Sequence, residues 1–226
     1  MKNYKILFIG KKGDKYSIKY YLYLKKNFRH VSVIYNNLVN HEQIKRRIKS
    51  WRGHYILCFR SNYLLKKNEI SKVSKNIINF HPGPPQYRGI GCVNFAILNN
   101  AKRYGSTAHL IDSDKIDNGK IVDVVLWKNN TNLSVEKILL KTYEKQFYQF
   151  KRVVKYIKKN NLEFLIKKNK NYKWSKKLYT KNDLNDLYLI DANVKKNYFK
   201  KILKCTITEK FKPYILIHGQ KFVYEN

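Results

Sequence analysis

This 226-residue chain has little with which to bend or stiffen its backbone: four prolines and nine glycines in all. Acidic residues are scarce as well, 15 against 48 Lys and Arg, which leaves a formal charge of +33. The three cysteines, Cys58, Cys92 and Cys205, are odd in number, far apart and without a C-x-x-C pair. That fits a reducing cytoplasm and argues against a zinc site. No apolar run approaches the roughly 20 residues that a bilayer-crossing helix needs. The opening "MKNYKILFIG" has a short apolar run with no small-residue cleavage site after it, so it reads as a first strand and not as a secretory signal. What remains is 43% hydrophobic and 15% aromatic, the composition of a folded chain long enough for one domain, with or without a small appendage.

An excess of cations invites a nucleic-acid partner, because a basic surface neutralises phosphates and releases counterions. The excess is unevenly spread, however. Between Asn76 and Trp127 five cations (Arg88, Lys102, Arg103, Lys115, Lys120) face four aspartates (Asp112, Asp114, Asp117, Asp123). Lysine also travels with Asn, Tyr, Ile and Phe, all encoded by AT-rich codons. The charge therefore reads as genome composition displayed on solvated faces, and nucleic acid as an unlikely partner.

Strand and helix patterns alternate along the first half. Apolar runs at Tyr4–Gly10, Val31–Asn36, His54–Arg60 and Asn76–Phe80 predict strands, with helical spacing between them. This is the signature of a doubly wound, Rossmann-like, mainly parallel sheet. "YGSTAHLIDSD" and "IVDVVLW" add two more strands. A long helix from Ser134, its N-cap, to Ile157 carries Leu139, Leu140, Tyr143, Phe147, Phe150 and Val154 as a packing face. From about Asn171 the pattern changes to short helices and a hairpin turning at Gly219-Gln220 in type II′ geometry. The expected division is a catalytic domain over 1–170 and a C-terminal helix and hairpin region over 171–226. Tyr214, Leu216, Phe222 and Tyr224 of the hairpin are more apolar than so small an appendage can bury, which predicts a homodimer interface.

Three of the four prolines (Pro82, Pro84, Pro85) and three glycines (Gly83, Gly89, Gly91) cluster in "NFHPGPPQYRGIGCVNFAI", residues 79–97. A structural turn would account for a lone His-Pro. Here, though, the fourth strand runs straight into the loop, and ligands of parallel sheets bind at strand carboxyl ends. Asn79 and His81 fall there, and an aspartate-rich loop holding Asp117 follows the next strand. Asp can orient and charge an imidazole, and Asn can donate to a developing oxyanion. With no G-x-S-x-G, P-loop or cysteine beside the histidine, direct acyl transfer to an amine fits these groups without a covalent step and without a metal. Among their neighbours, His109 reads as structural, Asp123 as a solvated strand residue, and Tyr87 and Arg88 either as locks on the loop or as substrate contacts.

These motifs also resemble a family. "NFHPGPPQYRGIGCVNFAI", then "YGSTAHLID" and "DNGKI", are similar to the formyltransferases that use 10-formyltetrahydrofolate as co-substrate. The resemblance is strongest to the branch that formylates nucleotide-linked amino sugars, and "YKWSKKLYTKNDLNDLYLID" and "FKPYILIHGQKFVYE" extend it over most of the chain. It implies a catalytic triad of Asn79, His81 and Asp117. It implies folate contacts at Asn62, Tyr63, Leu64, Ser113 and Asp114, and substrate contacts at Pro84, Gln86, Tyr87, Arg88 and Gly89. Gln86 departs from the Glu usual in the sugar branch. The implied acceptor is a 4-amino-4,6-dideoxy sugar on a nucleotide, dTDP favoured, on the way to a surface polysaccharide such as an O-antigen. Two rivals follow: methionyl-tRNA formyltransferase, whose C-terminal domain is larger than this one, and a non-catalytic nucleic-acid-binding protein on the same fold.

Overall fold

The computed structural model describes residues 3–36, 41–130 and 132–225. Its centre is a six-stranded sheet in the order β2-β1-β3-β4-β6-β7. β1 (Lys5–Lys11), β2 (His30–Asn36), β3 (Gly53–Phe59) and β4 (Val73–His81) run parallel, and β6 (Arg103–Leu110) and β7 (Ile121–Lys128) add on antiparallel. The sheet is thus α/β and mainly parallel, as the alternation predicted.

Alternation within the strands assigns the two faces. Ile6 and Phe8 of β1 pack with Leu57, Phe59, Ile78 and Phe80 in a core closed by α1 (Lys15–Asn27), α5 (Val135–Lys158) and α6 (Leu162–Lys168). Leu7 and Ile9 point the other way, into a second cluster with Ile44 and Ile48 of α2 (His41–Ser50) and Leu65, just ahead of the single-turn α3 (Lys67–Ile70). Strands covered on both faces must be apolar throughout, which is why they read as continuous runs. α1 starts where the Asp14 carboxylate accepts the Ser17 N–H at 2.8 Å, and it buries Tyr16, Tyr20 and Leu24 at four-residue spacing. Ser134 caps α5 as expected, accepting from the Lys137 N–H at 3.3 Å.

Several expectations fail for physical reasons. Leu140 of α5 is exposed, whereas Gln146 and Gln149 lie fully buried in its packing stripe. Both glutamines are retained because their amides satisfy buried backbone: Gln146 donates to the His81 carbonyl and Gln149 to the Asp123 carbonyl, each at 2.8 Å. Asp123 is not solvated. It is 3% exposed and ion-paired with Arg152, whose Nε donates to it at 3.1 Å. Burial raises its pKa, and the Arg152 contacts offset this only in part. The hairpin of β9 (Tyr214–Ile217) and β10 (Gln220–Val223) turns one residue earlier than expected. Its corner is His218-Gly219 with φ of 49° and 78°, the two left-handed residues of a type I′ turn.

The C-terminal region adds β8 (Leu178–Tyr179), α7 (Lys181–Tyr188) and α8 (Lys196–Thr206). A third core cluster joins it to the sheet: Leu187, Ile190, Ile202 and Cys205 pack with Cys92, Phe95 and Ile97 of α4 (Cys92–Leu98) and with Tyr104 and Trp127. β8 also pairs with β5 (Arg88–Gly89), a two-residue strand in the proline-glycine loop.

Candidate active site

Asn79 and His81 leave β4 two residues apart and so face the same side of the sheet. Antiparallel pairing places Asn79 opposite His109 and His81 opposite Thr107 on β6. The chain then loops back to β7, pinned by the Ile111 N–H on the Ile77 carbonyl and the Leu110 N–H on the Lys120 carbonyl, both 2.8 Å. The loop closes so tightly that a Cβ at Gly119 would meet the Leu110 oxygen at 1.8 Å. This gives a physical reason for the Asp-x-Gly spacing: Gly119 lets the loop return, and Asp117, with φ of 43°, is turned inward over the strand ends.

Asp117 is the hub. Its Oδ2 lies 3.2 Å from His81 Nδ1 and accepts the Gly89 N–H at 2.9 Å. Its Oδ1 lies 3.1 Å from His109 Nε2 and 3.5 Å from Asn79 Nδ2. His109 Nε2 and Asn79 Nδ2 are 3.1 Å apart, and His109 Nδ1 meets the Leu110 carbonyl at 2.8 Å. His81 Nε2 meets the Tyr87 carbonyl at 2.8 Å. Both partners of the His81 ring are acceptors, an environment that favours the protonated ring. Burial alone would lower the His81 pKa, but the Asp117 charge and the hydrogen bonds to Asp117 and Tyr87 hold it above the ordinary imidazole value. Burial would likewise raise Asp117, but the His81 charge and the bonds from both histidines hold it well below the carboxylate range.

The cluster forms the floor of a cavity of ≈ 70 Å³ lined by Asn79, His109 and Asp117. One wall holds Ser61, Tyr63, Leu64 and Leu65 and the other Ile111, Ser113, Asp114 and Ile116. Four of the five expected folate residues are therefore wall residues. Asn62 is not: its side chain is exposed, and its N–H meets the Asn36 side-chain amide. The Tyr63 hydroxyl donates to buried Glu69 at 2.7 Å, anchoring that wall to α3. His81 does not line the cavity. It stands behind Asp117, and the histidine at the floor is His109, which alternation alone had marked as structural.

The expected substrate contacts build the frame. Pro84 is buried, and its Cβ would lie 3.3 Å from a Cβ at Gly105, beyond the Val125 oxygen and Leu126. Tyr87 stacks on Tyr179 at 6.2 Å, and Gln86 is exposed. Arg88 Nη2 donates to the Ile116 carbonyl at 2.8 Å, tying the proline-glycine loop to the Asp117 loop. Gly89, with φ of 92°, lies where a Cβ would meet the Tyr179 oxygen at 2.1 Å, and this closeness lets its N–H reach Asp117. Missed altogether in the sequence was Trp174, whose ring edges against His81 and His109. Its only advance signal was a tryptophan in a polar stretch.

Cys58 also lines the cavity, but burial pushes its thiol up to about 12, leaving no thiolate for nucleophilic attack. Among the described residues no three His, Cys, Asp or Glu side chains gather to hold a metal ion. An acceptor-rich cluster beside an amide N–H can steady an oxyanion and take up a proton without either.

No curated protein matches the sequence. Solved structures match over nearly its whole length, at identities that establish a common fold. A sugar N-formyltransferase from a Shewanella species is 15% identical with a TM-score of 0.71, over 99% of this chain and 97% of that one. An N-formyltransferase from Helicobacter canadensis, in complex with folinic acid and dTDP-3-aminofucose, is 19% identical with a TM-score of 0.73, over 96% and 86%. A 4-N formyltransferase from Francisella tularensis is 18% identical with a TM-score of 0.72, over 97% and 96%. The family model described as Formyl transferase matches residues 17–154, the segment that carries Asn79, His81, His109 and Asp117, and the chain belongs to that family.

Proposed function

We propose that this protein transfers the formyl group of 10-formyltetrahydrofolate to the amine of a nucleotide-linked 4-amino-4,6-dideoxy sugar. The observation that carries the reading is the convergence of Asn79, His109 and Asp117 on the floor of a cavity with apolar walls and polar rims. Tyr63, Leu64, Leu65 and Ile111 suit the flat face of a pterin, and Ser61, Ser113 and Asp114 suit its hydrogen-bonding edge. Support for the acceptor comes from the similar proteins: one is a 4-N formyltransferase and another was solved with a dTDP-aminosugar, and each matches beyond residue 154 as well as within the shared domain.

In this reading Asn79 Nδ2 donates to the oxygen of the tetrahedral adduct formed when the neutral amine adds to the formyl carbon. That bond strengthens as charge develops, which is what lowers the barrier. His109 Nε2 donates to Asp117 Oδ1, and Asp117 takes up the amine proton. As the adduct collapses, the bond from the formyl carbon to the folate nitrogen breaks and that proton is delivered to the nitrogen. His81 keeps Asp117 ionised and fixed by donating to it from behind. The reaction takes place in the cytoplasm and supplies a surface polysaccharide precursor. The hairpin leaves Leu216, Ile217, Phe222 and Val223 between 45% and 50% exposed, and a second copy of the chain covers them in a homodimer.

The test is to incubate the protein with 10-formyltetrahydrofolate and a panel of dTDP-linked 3- and 4-amino sugars and to follow product mass. Formylation of a 4-amino sugar is expected. Formylation of charged initiator tRNA, with every sugar ignored, would overturn the acceptor. Light scattering tests the dimer, and a monodisperse monomer would end that part of the reading.

A further inference from the structure

The catalytic cluster has a second boundary with solvent besides the cavity above. On the other side of the β6–β7 loop lies an open cavity of ≈ 490 Å³ that runs from α6 to Asn118, Gly119 and Trp174. Neither histidine lines it, because the Trp174 indole stands between. Its ring centre is 5.1 Å from that of His109 and 5.9 Å from that of His81, at interplanar angles of 87° and 73°. The indole N–H donates to the Gly119 carbonyl at 2.8 Å, two residues beyond Asp117. The next residue is tied as well: the Ser175 N–H donates to the Pro85 carbonyl at 3.0 Å, and its carbonyl accepts from Arg88 Nη1 at 3.4 Å. A half-buried aromatic ring is thus clamped to both catalytic loops with solvent on one side and two histidines on the other.

We propose that Trp174 is a positioning residue of the active site, a wall that keeps water from the His81–Asp117–His109 cluster. It lies beyond residue 154, where the family match ends, so the C-terminal region completes a site whose chemistry belongs to the shared domain. The consequence for reaction rests on the formyl-donor reading above. Exclusion of water strengthens the electrostatics of the cluster and suppresses hydrolysis of the donor. In that side reaction water adds to the formyl carbon, the bond from carbon to the folate nitrogen breaks, and the proton ends on that nitrogen, giving formate and tetrahydrofolate.

Two readouts test this on the full chain, one of them independent of substrate. In Trp174→Ala, at a pH high enough to leave the imidazole neutral, carbethoxylation of His81 by diethyl pyrocarbonate, followed by peptide mass, should approach the rate at the exposed His30. The ratio of formate released to sugar formylated should rise about tenfold, and turnover should fall by about 10- to 100-fold, the size of effect that small misplacements cause. Trp174→Phe keeps a ring and loses the N–H, and should retain His81 protection and the low formate ratio. Lys173→Ala, on the same cavity but not on the wall, should match the parent in both. The proposal is overturned if Trp174→Ala keeps His81 protected and loses hydrolysis and transfer in parallel, or if Trp174→Phe behaves like Trp174→Ala. Should the unaltered protein formylate no nucleotide amino sugar, the function reading falls, and His81 protection alone decides the wall.

Discussion

The sheet portion of the molecule and its C-terminal region hold themselves together differently. In the sheet, Asn79 and His109 are placed by strand register, and backbone ladders fix them whatever the neighbouring side chains do. The C-terminal region has few such ladders. It attaches through the two-residue pairing of β5 with β8, through the Asn94 amide on the Cys205 carbonyl at 2.6 Å, and through the apolar seam around Leu187 and Ile202. The lesson is a division of labour. Asn79, His109 and Asp117 belong to the sheet half, and Trp174, which packs against both histidines, belongs to the attached half.

That contrast predicts where substitutions should hurt. Asp117→Asn should be the most damaging, because it weakens the hub for both histidines and for the Gly89 N–H. Turnover should fall about 1000-fold with the fold retained by circular dichroism, in line with the loss of preorganised acid–base and oxyanion groups. Near-normal turnover would place the chemistry elsewhere. Asn79→Ala and His109→Ala should each cost about 100-fold. The His109 result is the sharper of the two, since an unchanged rate would make His81 the sole working histidine.

A smaller effect concerns pH. Asp117, depressed in the folded state, contributes stability that is complete above its ordinary value of 3.8 and is lost as pH falls through its folded pKa. His81, raised in the folded state, contributes stability that is complete below 6.5 and is lost as pH rises through its folded pKa. The pair therefore stabilises most between those two values, and denaturant midpoints of Asp117→Asn should vary less with pH on both sides. Identical profiles for the two proteins would mean that the pair is not coupled. Smallest for turnover is Asp123→Ala on the rigid half. It should cost about 1–3 kcal/mol of stability by urea titration, from lost buried hydrogen bonds, and leave kcat unchanged; a large loss of kcat would extend the site to β7.

Much of the site was legible because its residues were constrained locally. Asn79, His81 and the prolines are contiguous, and Asp117 and Gly119 sit in one loop whose tight return permits only glycine at 119. His109 was not legible, because a buried histidine on an alternating strand packs or acts depending on which strand it pairs with. Asp123 was misread for a related reason. Its partners Arg152 and Asn169 come from α5 and from the end of α6, far along the chain.

The amino-acid sequence by itself determined the mainly parallel sheet, through apolar runs that only doubly covered strands require, and the loop that presents Asn79 and Asp117. Only the tertiary structure decided which histidine meets the cavity. His81 turns its Nε2 to the Tyr87 carbonyl and its Nδ1 to Asp117, while antiparallel register delivers His109 to Asn79. The physical reason is range. Backbone propensity and apolar periodicity act over a few residues and are written locally, whereas strand register, ring orientation and the closure of Trp174 over both histidines are set by contacts between residues tens of positions apart.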